Sequence, residues 1–405
     1  MKRRHFIRIT GGGMVASAFA AGSSGCSLSS DFPAVALEAW QGPGAEADLR
    51  RWALAYAILA PNSHNRQPWL VDLAEPNAIT LYVDRERLLP MTDPWFRQIA
   101  VSQGTFLESL VIALRQRGVE PAVQLFPKGE FKPRELDDRP VARVSWAAVT
   151  GAVTGAVTGA PPALKDALFG QLLRRHTAKI DYDTTRAVAP GVLDQLRAAV
   201  VNPAVRFGGT VEAQALAPLR AICWESAKVE LLTPRTIMES LKLTRVGPAE
   251  IAQHRDGISV NSMVPRIASA FGAFDRSNPP AEGSTAYKQM MSRFEGHSNT
   301  AMGFVWLSTP TAQNLAAGIS RSAEVNAGRA YMRLQLKATE LGLQIHPMSQ
   351  APQEFPEMKP FYDKLHMMLV GKPSEQETMQ MFCRIGYCAA QQHTPRRALG
   401  GFVKA

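Results

Sequence analysis

A four-residue repeat near the middle of the chain constrains its architecture more than any other feature. Val149-Thr150-Gly151-Ala152 recurs as residues 153–156 and 157–160, and Pro161-Pro162 closes the run. Three short copies do not make a solenoid, whose repeats are each roughly 20 residues or longer. Small residues that end in a proline pair are typical of a linker. The sequence therefore predicts two units, residues 46–148 and 163–405, joined by a linker at 149–162.

The composition is that of a folded protein with one or two domains. Of the 405 residues, 46% are hydrophobic and 20% are charged. The net charge is +10, and four of the surplus positive charges lie in residues 1–26, so the rest of the chain carries +6. Because no stripe of aromatic and basic residues accompanies this charge, a solvated surface is favoured over a nucleic-acid partner. No apolar run reaches about 18 residues, so no transmembrane span is predicted.

Residues 1–26 have the layout of a signal peptide. Arg3-Arg4 is followed by Phe6-Ile7 and then by a weakly apolar run of small residues, Gly11–Gly22. The arginine pair resembles the twin-arginine signal, whose pathway exports folded proteins. We therefore expect export by that route to the periplasm, or to the membrane outside the cytoplasm, with residues 27–45 as a flexible lead-in. A frayed basic tail is the less favoured alternative.

The four cysteines give no metal site, but one of them bears on anchoring. Cys26, Cys223, Cys383 and Cys388 lack the spacing of a zinc site. A disulfide between Cys383 and Cys388 stays open, although it is disfavoured if both lie on or beside one strand. Ser23-Ser24-Gly25-Cys26 partly resembles a lipoprotein box without its usual leucine. A lipid anchor on Cys26 is therefore a minority hypothesis.

Hydrophobic periodicity predicts helices and strands in both units. In the first unit it predicts helices over 49–59 and 99–117 and strands at 70–73, 79–83, 123–126 and 141–146, of which the first two strands form a hairpin. In the second unit it predicts helices over 163–175, 190–200, 216–232 and 321–341 and strands at 303–308, 343–346 and 382–387. Residues 233–300 show little periodicity and are predicted to be a cover or insertion over a site.

The polar segment 60–69, called the opening loop below, lies between the first predicted helix and the first strand. Pro61 ends the helix, and Pro68 cannot donate a backbone hydrogen bond. Between them lie amide, hydroxyl, imidazole and guanidinium groups, which together can bind a flat ligand with many hydrogen-bonding edges. For this loop alone, an ordinary polar turn after a helix would be favoured.

Two basic clusters in the second unit carry groups that bind phosphate. Arg175, Thr177 and Lys179 alternate, so they point to one side of an extended segment. Arg396-Arg397 follows the last predicted strand. Arginine forks and hydroxyl groups are suited to phosphate oxygens. For each cluster alone, a solvated helix end or a basic tail would be favoured.

Together these segments resemble the nitroreductase superfamily of FMN enzymes, in particular its tandem-domain Acg type. Residues 61–69 match the family's P-S/T-S-x-N-x-Q-P-W loop, although Asn62 departs from the usual Ser or Thr. Residues 175–179 match the R-x-S/T-x-R/K segment that binds the phosphate and ring of FMN. Pro347-Met348-Ser349 falls where the family places a backbone N–H beside flavin N5, and residues 384–387 and 394–397 resemble its last strand and phosphate-binding tail.

This resemblance implies an α+β fold of two tandem nitroreductase-like units that form an internal pseudo-dimer. Each unit would hold an antiparallel sheet flanked by helices. Since the first unit has the loop and the second has the phosphate segment, it implies one FMN per chain, with the other pseudo-symmetric site degenerate. Lys179 would stabilise the negative charge that reduction places on flavin N1. The implied FMN-binding residues are Pro61, Asn62, Ser63, Asn65, Gln67, Arg175, Thr177, Lys179, Pro347, Met348, Ser349, Arg396 and Arg397.

The function implied is that of an FMN-dependent oxidoreductase that reduces a nitroaromatic, quinone or similar acceptor by flavin hydride transfer. No catalytic side chain beyond the flavin and no metal is expected, and His64, His297 and His346 are favoured as structural rather than proton-donating. The electron donor would be NAD(P)H or an envelope redox partner. Two alternatives stay open: a protein that binds and sequesters FMN with little turnover, and an envelope interaction module without flavin.

Overall fold

The computed structural model describes residues 29–147, 165–272, 274–312 and 320–404. The predicted signal peptide and the repeat linker lie outside these residues. In the part of the chain that is described, no helix is both long and apolar enough to cross a bilayer.

Both halves of the chain contain helices and strands. The helices are α1 (Ala34–Leu37), α2 (Leu49–Ala57), α3 (Arg97–Gln116), α4 (Gly191–Ala199), α5 (Ala213–Leu232), α6 (Pro234–Lys242), α7 (Gly247–His254), α8 (Met263–Ala270), α9 (Thr285–Asn299), α10 (Arg321–Glu340) and α11 (Lys359–Leu369). The strands are β1 (Trp69–Asp72), β2 (Ala78–Val83), β3 (Ala122–Leu125), β4 (Ala142–Ser145), β5 (Arg206–Thr210), β6 (Thr244–Val246), β7 (Ile258–Val260), β8 (Gly303–Pro310), β9 (Gln344–Pro347) and β10 (Glu377–Gly386).

Two four-stranded sheets with the same topology dominate the molecule. Their strand orders are β1-β2-β4-β3 and β5-β8-β10-β9, and every pairing within them is antiparallel. In both, a short helix precedes the edge strand and a long helix follows the next strand. The expected α+β class, with an antiparallel sheet and helices in each half, is confirmed.

Helices α3 and α10, each of 20 residues, cross at a pair of glycines. A Cβ at Gly104 would lie 2.8 Å from the Cα of Gly328, and a Cβ at Gly328 would lie 2.9 Å from the Cα of Gly104. The reciprocal contacts to Val325 and Val101 make the crossing nearly symmetric. Only residues without a side chain allow two helix backbones to approach this closely, so the glycines set the distance between the halves.

The C-terminal end of the chain returns to the first half. Val403 forms a parallel bridge with Val71, and the backbone N–H of Lys404 donates to the carbonyl of Val71 at 2.8 Å. Phe402 is fully buried in the apolar core of the first half, where its ring lies 6.2 Å from that of Trp69. The core around the first sheet is therefore built from both ends of the sequence.

Most predicted elements are confirmed, and the exceptions have local causes. The predicted helix over 163–175 is wrong: the described part contains only a short 3-10 turn, Phe169–Gln171, because Gly170 weakens a helix and the flanking leucines turn into the core of the first half. Strand β5 was not predicted, since Gly208-Gly209 lowers its strand propensity. Helix α11 was also missed. In the described part of the chain Cys223, Cys383 and Cys388 are free thiols, so Cys383 and Cys388 form no disulfide.

Candidate functional site

The opening loop has a strained backbone that is fixed by hydrogen bonds. His64, Asn65 and Gln67 have φ angles of 48°, 51° and 52°, in the left-handed region that side chains rarely adopt. The Asn62 carboxamide oxygen accepts from the N–H of Gln67 at 2.7 Å, which closes the turn. Backbone strain of this kind persists only where the surroundings impose it.

Hydrogen bonds from helix α3 hold the opening loop. The hydroxyl of Thr105 donates to the carbonyl of Pro61 at 2.7 Å, and the N–H of Ser63 donates to the hydroxyl of Ser102 at 3.2 Å. The Ser63 hydroxyl donates to the Gln98 carboxamide at 3.0 Å. The loop is thus held in one shape against the helix that joins the two halves.

Two of the predicted ligand residues in the loop hold the C-terminal tail. The Asn65 amide donates to the carbonyl of Pro395 at 3.0 Å and its oxygen accepts from Arg396 at 2.7 Å. The Gln67 oxygen accepts from the N–H of Arg397 at 2.9 Å. The structure therefore brings loop and tail together as predicted, and it uses these side chains to do so.

Arg175 and Arg396 are buried side by side at the C-terminal end of α2. Arg396 donates to the carbonyls of residues 58, 59 and 60 at 3.1, 3.1 and 3.2 Å, and Arg175 donates to that of Leu59 at 3.0 Å. Both guanidinium groups lie over the ring of Trp40, 5.5 and 5.3 Å from its centroid. Carbonyls at a helix end favour cations, but only partly replace a counter-ion.

Neither of these arginines is paired with a carboxylate within the described residues. Burial lowers the pKa of Arg175 to about 10, and burial together with the neighbouring Arg175 cation holds the pKa of Arg396 well below its usual range. The Nε of Arg175 is buried without a hydrogen-bond partner, whereas the nitrogens of Arg396 are all engaged by the chain. Two buried cations and one unused donor make this place favourable for an anion.

Lys179 lies at the centre of a second group of charged and polar side chains, here called the Lys179 cluster. Its members are His64, Lys179, Glu230, Arg293, His297 and His346. Lys179 is exposed, yet burial by the surrounding protein and then the Arg293 cation lower its pKa to about 8, opposed by Glu230. In the described chain its ammonium makes no hydrogen bond or ion pair. These observations place the ammonium in a solvent-accessible space enclosed by protein.

The histidines of the Lys179 cluster are neutral. Burial, with the Lys179 and Arg66 cations after it, lowers the pKa of His64 to about 3, and burial and Arg384 lower that of His297 to about 3. The pKa of His346 is lowered well below its usual value by the same causes, burial first. Burial raises the pKa of Glu230 to about 6. The cluster therefore carries net positive charge at neutral pH.

The remaining predicted residues take different positions. Thr177 accepts from Gln335 at 3.5 Å, and Gln335 also contacts Arg175, so α10 links both to the core. The N–H of Met348 donates to Phe382 at 2.8 Å and Pro347 has no N–H, which leaves that of Ser349 for a ligand.

Arg397 turns away from Arg175. Its guanidinium lies over the ring of Phe402 at 4.5 Å and donates to the carbonyl of Gly401 at 2.6 Å. Its side chain therefore stabilises the end of the tail, and the two arginines of the tail face different surroundings.

Sequence reasoning missed Trp40, which lies in the segment assigned to a lead-in. Its indole N–H donates to the carbonyl of Thr394 at 2.8 Å, and its ring stacks on His393 with centroids 4.0 Å apart. A tryptophan in a segment rich in Ser, Pro and Gly was the available signal. Glu230 and Arg293 were missed because nothing in their local sequence marks them.

Residues 233–300, called the cover below, reach across to the first half. Glu239 accepts from the N–H groups of Met91 and Thr92 at 3.0 and 2.9 Å and from the hydroxyl of Thr92 at 2.6 Å. The Ser240 hydroxyl lies 3.2 Å from Nε2 of His64. Helix α9 of the cover supplies two members of the Lys179 cluster. The cover thus lies over the opening loop and is fastened to it.

A buried carboxylate fastens the cover at a second point. Asp256 forms ion pairs with Arg66, Arg87 and Arg245 at 3.4, 2.7 and 3.0 Å. The carbonyl of Arg255 accepts from the Gln67 amide at 2.8 Å. Since Arg66 and Gln67 belong to the opening loop, the same loop contacts the tail and the cover.

A separate cavity lies near the N-terminal ends of α3 and α10. Its volume is about 890 Å³, and Trp95, Arg97, Phe355 and Tyr362 are among its lining residues. Gln353 also lines it and donates to Glu230 at 2.6 Å, which connects the cavity with the Lys179 cluster. Within the described residues no group of His, Cys, Asp or Glu side chains could hold a metal ion.

Comparison with known proteins gives similarity over a short stretch. No family model matches the chain. Over 80 residues, 20% of this chain, it is 32% identical to "Putative NAD(P)H nitroreductase acg" of Mycobacterium tuberculosis (strain ATCC 25618 / H37Rv). Over 82 residues it is 34% identical to "Putative NAD(P)H nitroreductase Rv3131" of the same strain. Each match covers 24% of the relative, so the chain spans about a quarter of the length of these curated relatives.

Solved structures superpose only weakly. The FMN-dependent nitroreductase NfnB from Mycobacterium smegmatis in complex with NADPH gives a TM-score of 0.33 at 16% identity, over 57% of this chain and 94% of that chain. Iodotyrosine deiodinase bound to FMN and 3-iodo-L-tyrosine gives 0.33 at 15% identity, over 57% and 95% of the two chains. A TM-score this low does not establish a shared fold.

Proposed function

We propose that the chain is an FMN-dependent oxidoreductase of the nitroreductase superfamily, in its tandem-domain form, and that its two halves hold one FMN between them. The observation that carries the proposal is that two buried arginines, without a carboxylate partner among the described residues, lie at the opening loop and the residue before it. The short similarity to NAD(P)H nitroreductases supports it independently.

The residues present fit the phosphate of FMN. The unpartnered Nε–H of Arg175 would donate to a phosphate oxygen, with the hydroxyl of Thr177 beside it. Arg396, whose donors are engaged by the chain, would act through its charge and by holding the loop. Asn65 and Gln67 would position the loop, and Pro61, Asn62 and Ser63 are the loop residues proposed to meet the cofactor.

Lys179 is the group that would act on the flavin ring. FMN, when bound, supplies the two-electron redox chemistry. The Lys179 ammonium, accessible and without a partner among the described residues, would stabilise negative charge on the ring. The neutral histidines nearby add no competing charge. The proposed acceptor is a nitroaromatic, a quinone or a similar compound, and the proposed donor is NAD(P)H or, if residues 1–26 export the folded chain, an envelope redox partner.

A second candidate is an FMN-binding protein that sequesters the cofactor with little turnover. The contacts of the cover favour it, because Glu239 and Asp256 fasten the cover to the first half around the opening loop. A cover held this firmly would limit access of a substrate to the flavin.

The absorbance spectrum of the purified full chain tests flavin binding, and the variant Lys179→Ala tests the site. We expect flavin bands in the wild type and FMN affinity at least about tenfold lower in Lys179→Ala, because a charge-assisted contact is lost. Arg174→Ala, an exposed neighbour in the same segment, is the matched control. A colourless chain that does not take up added FMN would refute the proposal, and equal affinity of all three proteins would refute the site.

Steady-state turnover then separates the two candidates. Oxidation of NAD(P)H with a nitroaromatic or quinone acceptor supports the enzyme. A yellow, flavin-containing protein that shows no turnover with any donor tested, whether nicotinamide or quinol, supports sequestration.

A further inference from the structure

Exposed apolar side chains are concentrated on helix α8 of the cover. Met263, Val264, Ile267 and Phe271 are 51%, 61%, 51% and 85% exposed. Their spacing of one, four and eight residues puts them on one face of the helix and its C-terminal cap. The other exposed large apolar side chains of the described residues occur singly or in a pair. A single exposed apolar residue is ordinary, but a contiguous patch marks an interaction site.

The N-terminal segment enters the described structure beside this helix. The guanidinium of Arg266, in α8, donates to the carbonyl of Ser29 at 2.9 Å. The amide of Asn261, just before α8, donates to the carbonyl of Asp31 at 2.6 Å. The described chain therefore starts, at Ser29, next to α8. In the sequence, Cys26 is three residues before Ser29.

We propose that the apolar face of α8 lies on a lipid surface next to the start of this N-terminal segment. An amphipathic helix binds a bilayer by burying its apolar face at the boundary between headgroups and acyl chains. No acidic residue occurs from Gly257 to Phe274, so nothing in the segment repels anionic headgroups. The basic start and the apolar run at 11–22, or a lipid on Cys26, would bring a membrane to the same place.

A second copy of the chain is a poorer occupant of this face. A stable interface between proteins buries about 800 Å² on each partner. Four side chains on a helix of eight residues supply only a fraction of that area. A membrane requires no complementary shape, and a second attachment nearby removes the need for high affinity at α8 alone.

The test is partition of the full chain onto vesicles of phosphatidylethanolamine and phosphatidylglycerol. The double variant Ile267→Asn/Phe271→Ser should partition about tenfold less than the wild type, because most of the apolar contact is lost. Val201→Ser, which removes a side chain that is 64% exposed on the second half, is the matched control and should partition like the wild type.

Hydrogen–deuterium exchange locates the contact even if the N-terminal segment anchors every variant. Vesicles should slow exchange in residues 261–272 of the wild-type full chain. Unchanged exchange there overturns the proposal, whatever the partition of the double variant. A wild-type dimer in solution that the double variant converts to a monomer would also overturn it, since a second copy would then cover the face. None of these readouts depends on flavin binding.

Discussion

The two halves share one sheet topology but connect their first two strands differently. In the first half, β1 and β2 are joined by the short turn at 73–77. In the second half, residues 211–302 separate β5 from β8 and contain α5 to α9. Both connections are compatible with the sheet because each leaves one strand and enters its antiparallel neighbour at the same end of the sheet. The difference shows that the arrangement of the two sheets is constant. One long insertion in the second half contains the cover and half of the Lys179 cluster.

The halves also divide the candidate site between them. The first half supplies a loop whose shape is fixed by α3, and the second supplies Arg175 and Lys179. The tail of the second half then binds the loop of the first. Neither half alone has both parts, so the site depends on how closely the halves approach.

The strongest test of that dependence is Gly328→Leu. A side chain at this position would collide with the backbone of α3 and push the halves apart. We expect a loss of about 3 kcal/mol or more in the free energy of unfolding, or failure to fold. Urea denaturation measures it, with Gly191→Leu as control, since no atom lies within 4 Å of a Cβ there. Equal stability of both variants would show that the glycine crossing does not set the distance between the halves.

The next largest effect concerns Lys179, the cation that the second half contributes to the candidate site. The pKa of Lys179 is lowered to about 8 from 10.5. Since only the protonated ammonium would give a charge-assisted hydrogen bond to the flavin ring, FMN affinity should fall about tenfold between pH 7 and pH 9. The free energy of unfolding of the FMN-free chain should instead increase with pH. Lys179 loses its proton near pH 8 in the folded chain but only near pH 10.5 in the unfolded chain, so the destabilisation caused by its buried charge disappears as pH rises from about 8 to 10.5.

Fluorescence titration of FMN at several pH values measures the affinity. Lys179→Gln should abolish the pH dependence in this window. A wild-type affinity that is flat through pH 9 would mean that Lys179 does not meet the flavin.

The smallest effect concerns the contact of the cover with the first half. Glu239→Gln keeps the shape of the side chain but weakens three hydrogen bonds to Met91 and Thr92. Because the site is half-exposed, we expect bound FMN to exchange only about threefold faster. Glu225→Gln, which removes an exposed ion pair of α5 with Lys228, is the control. A rate unchanged in Glu239→Gln but raised in the control would contradict the assigned role of the cover.

Local sequence predicted most helices and strands of the two sheets and their flanking layers, but not the conformation of the segments that connect them. The long helices, the hairpin and the last strand follow from apolar spacing, which depends only on neighbouring residues. Residues 163–175 could not be predicted, because packing of Leu168 and Leu172 on the first half decides their conformation. The signal, the linker and the cofactor role of each residue stay predictions.

For the candidate site, the sequence indicated which segments meet, whereas their membership of a flavin site stays a prediction. The loop, Arg175 and the tail do come together, as the motifs indicated. That Asn65 and Gln67 hold the tail could not be read from the sequence, since these contacts span 330 positions. That Arg397 turns to Phe402 could not be read either, since it depends on the packing of Phe402 in the core of the first half. Arg397 follows Arg396 directly, and nothing in the pair distinguishes them.

The return of the C-terminal end to the first half constrains how the chain is made. Phe402 and Val403 leave the ribosome long after the strands of the first sheet, yet they complete the core and the edge of that sheet. The first half therefore stays incompletely closed until these residues have been synthesised. A stop codon before Phe402 would remove part of the core of the half that is made first. Chaperones that protect exposed apolar surface would be needed longest by the half that is made first.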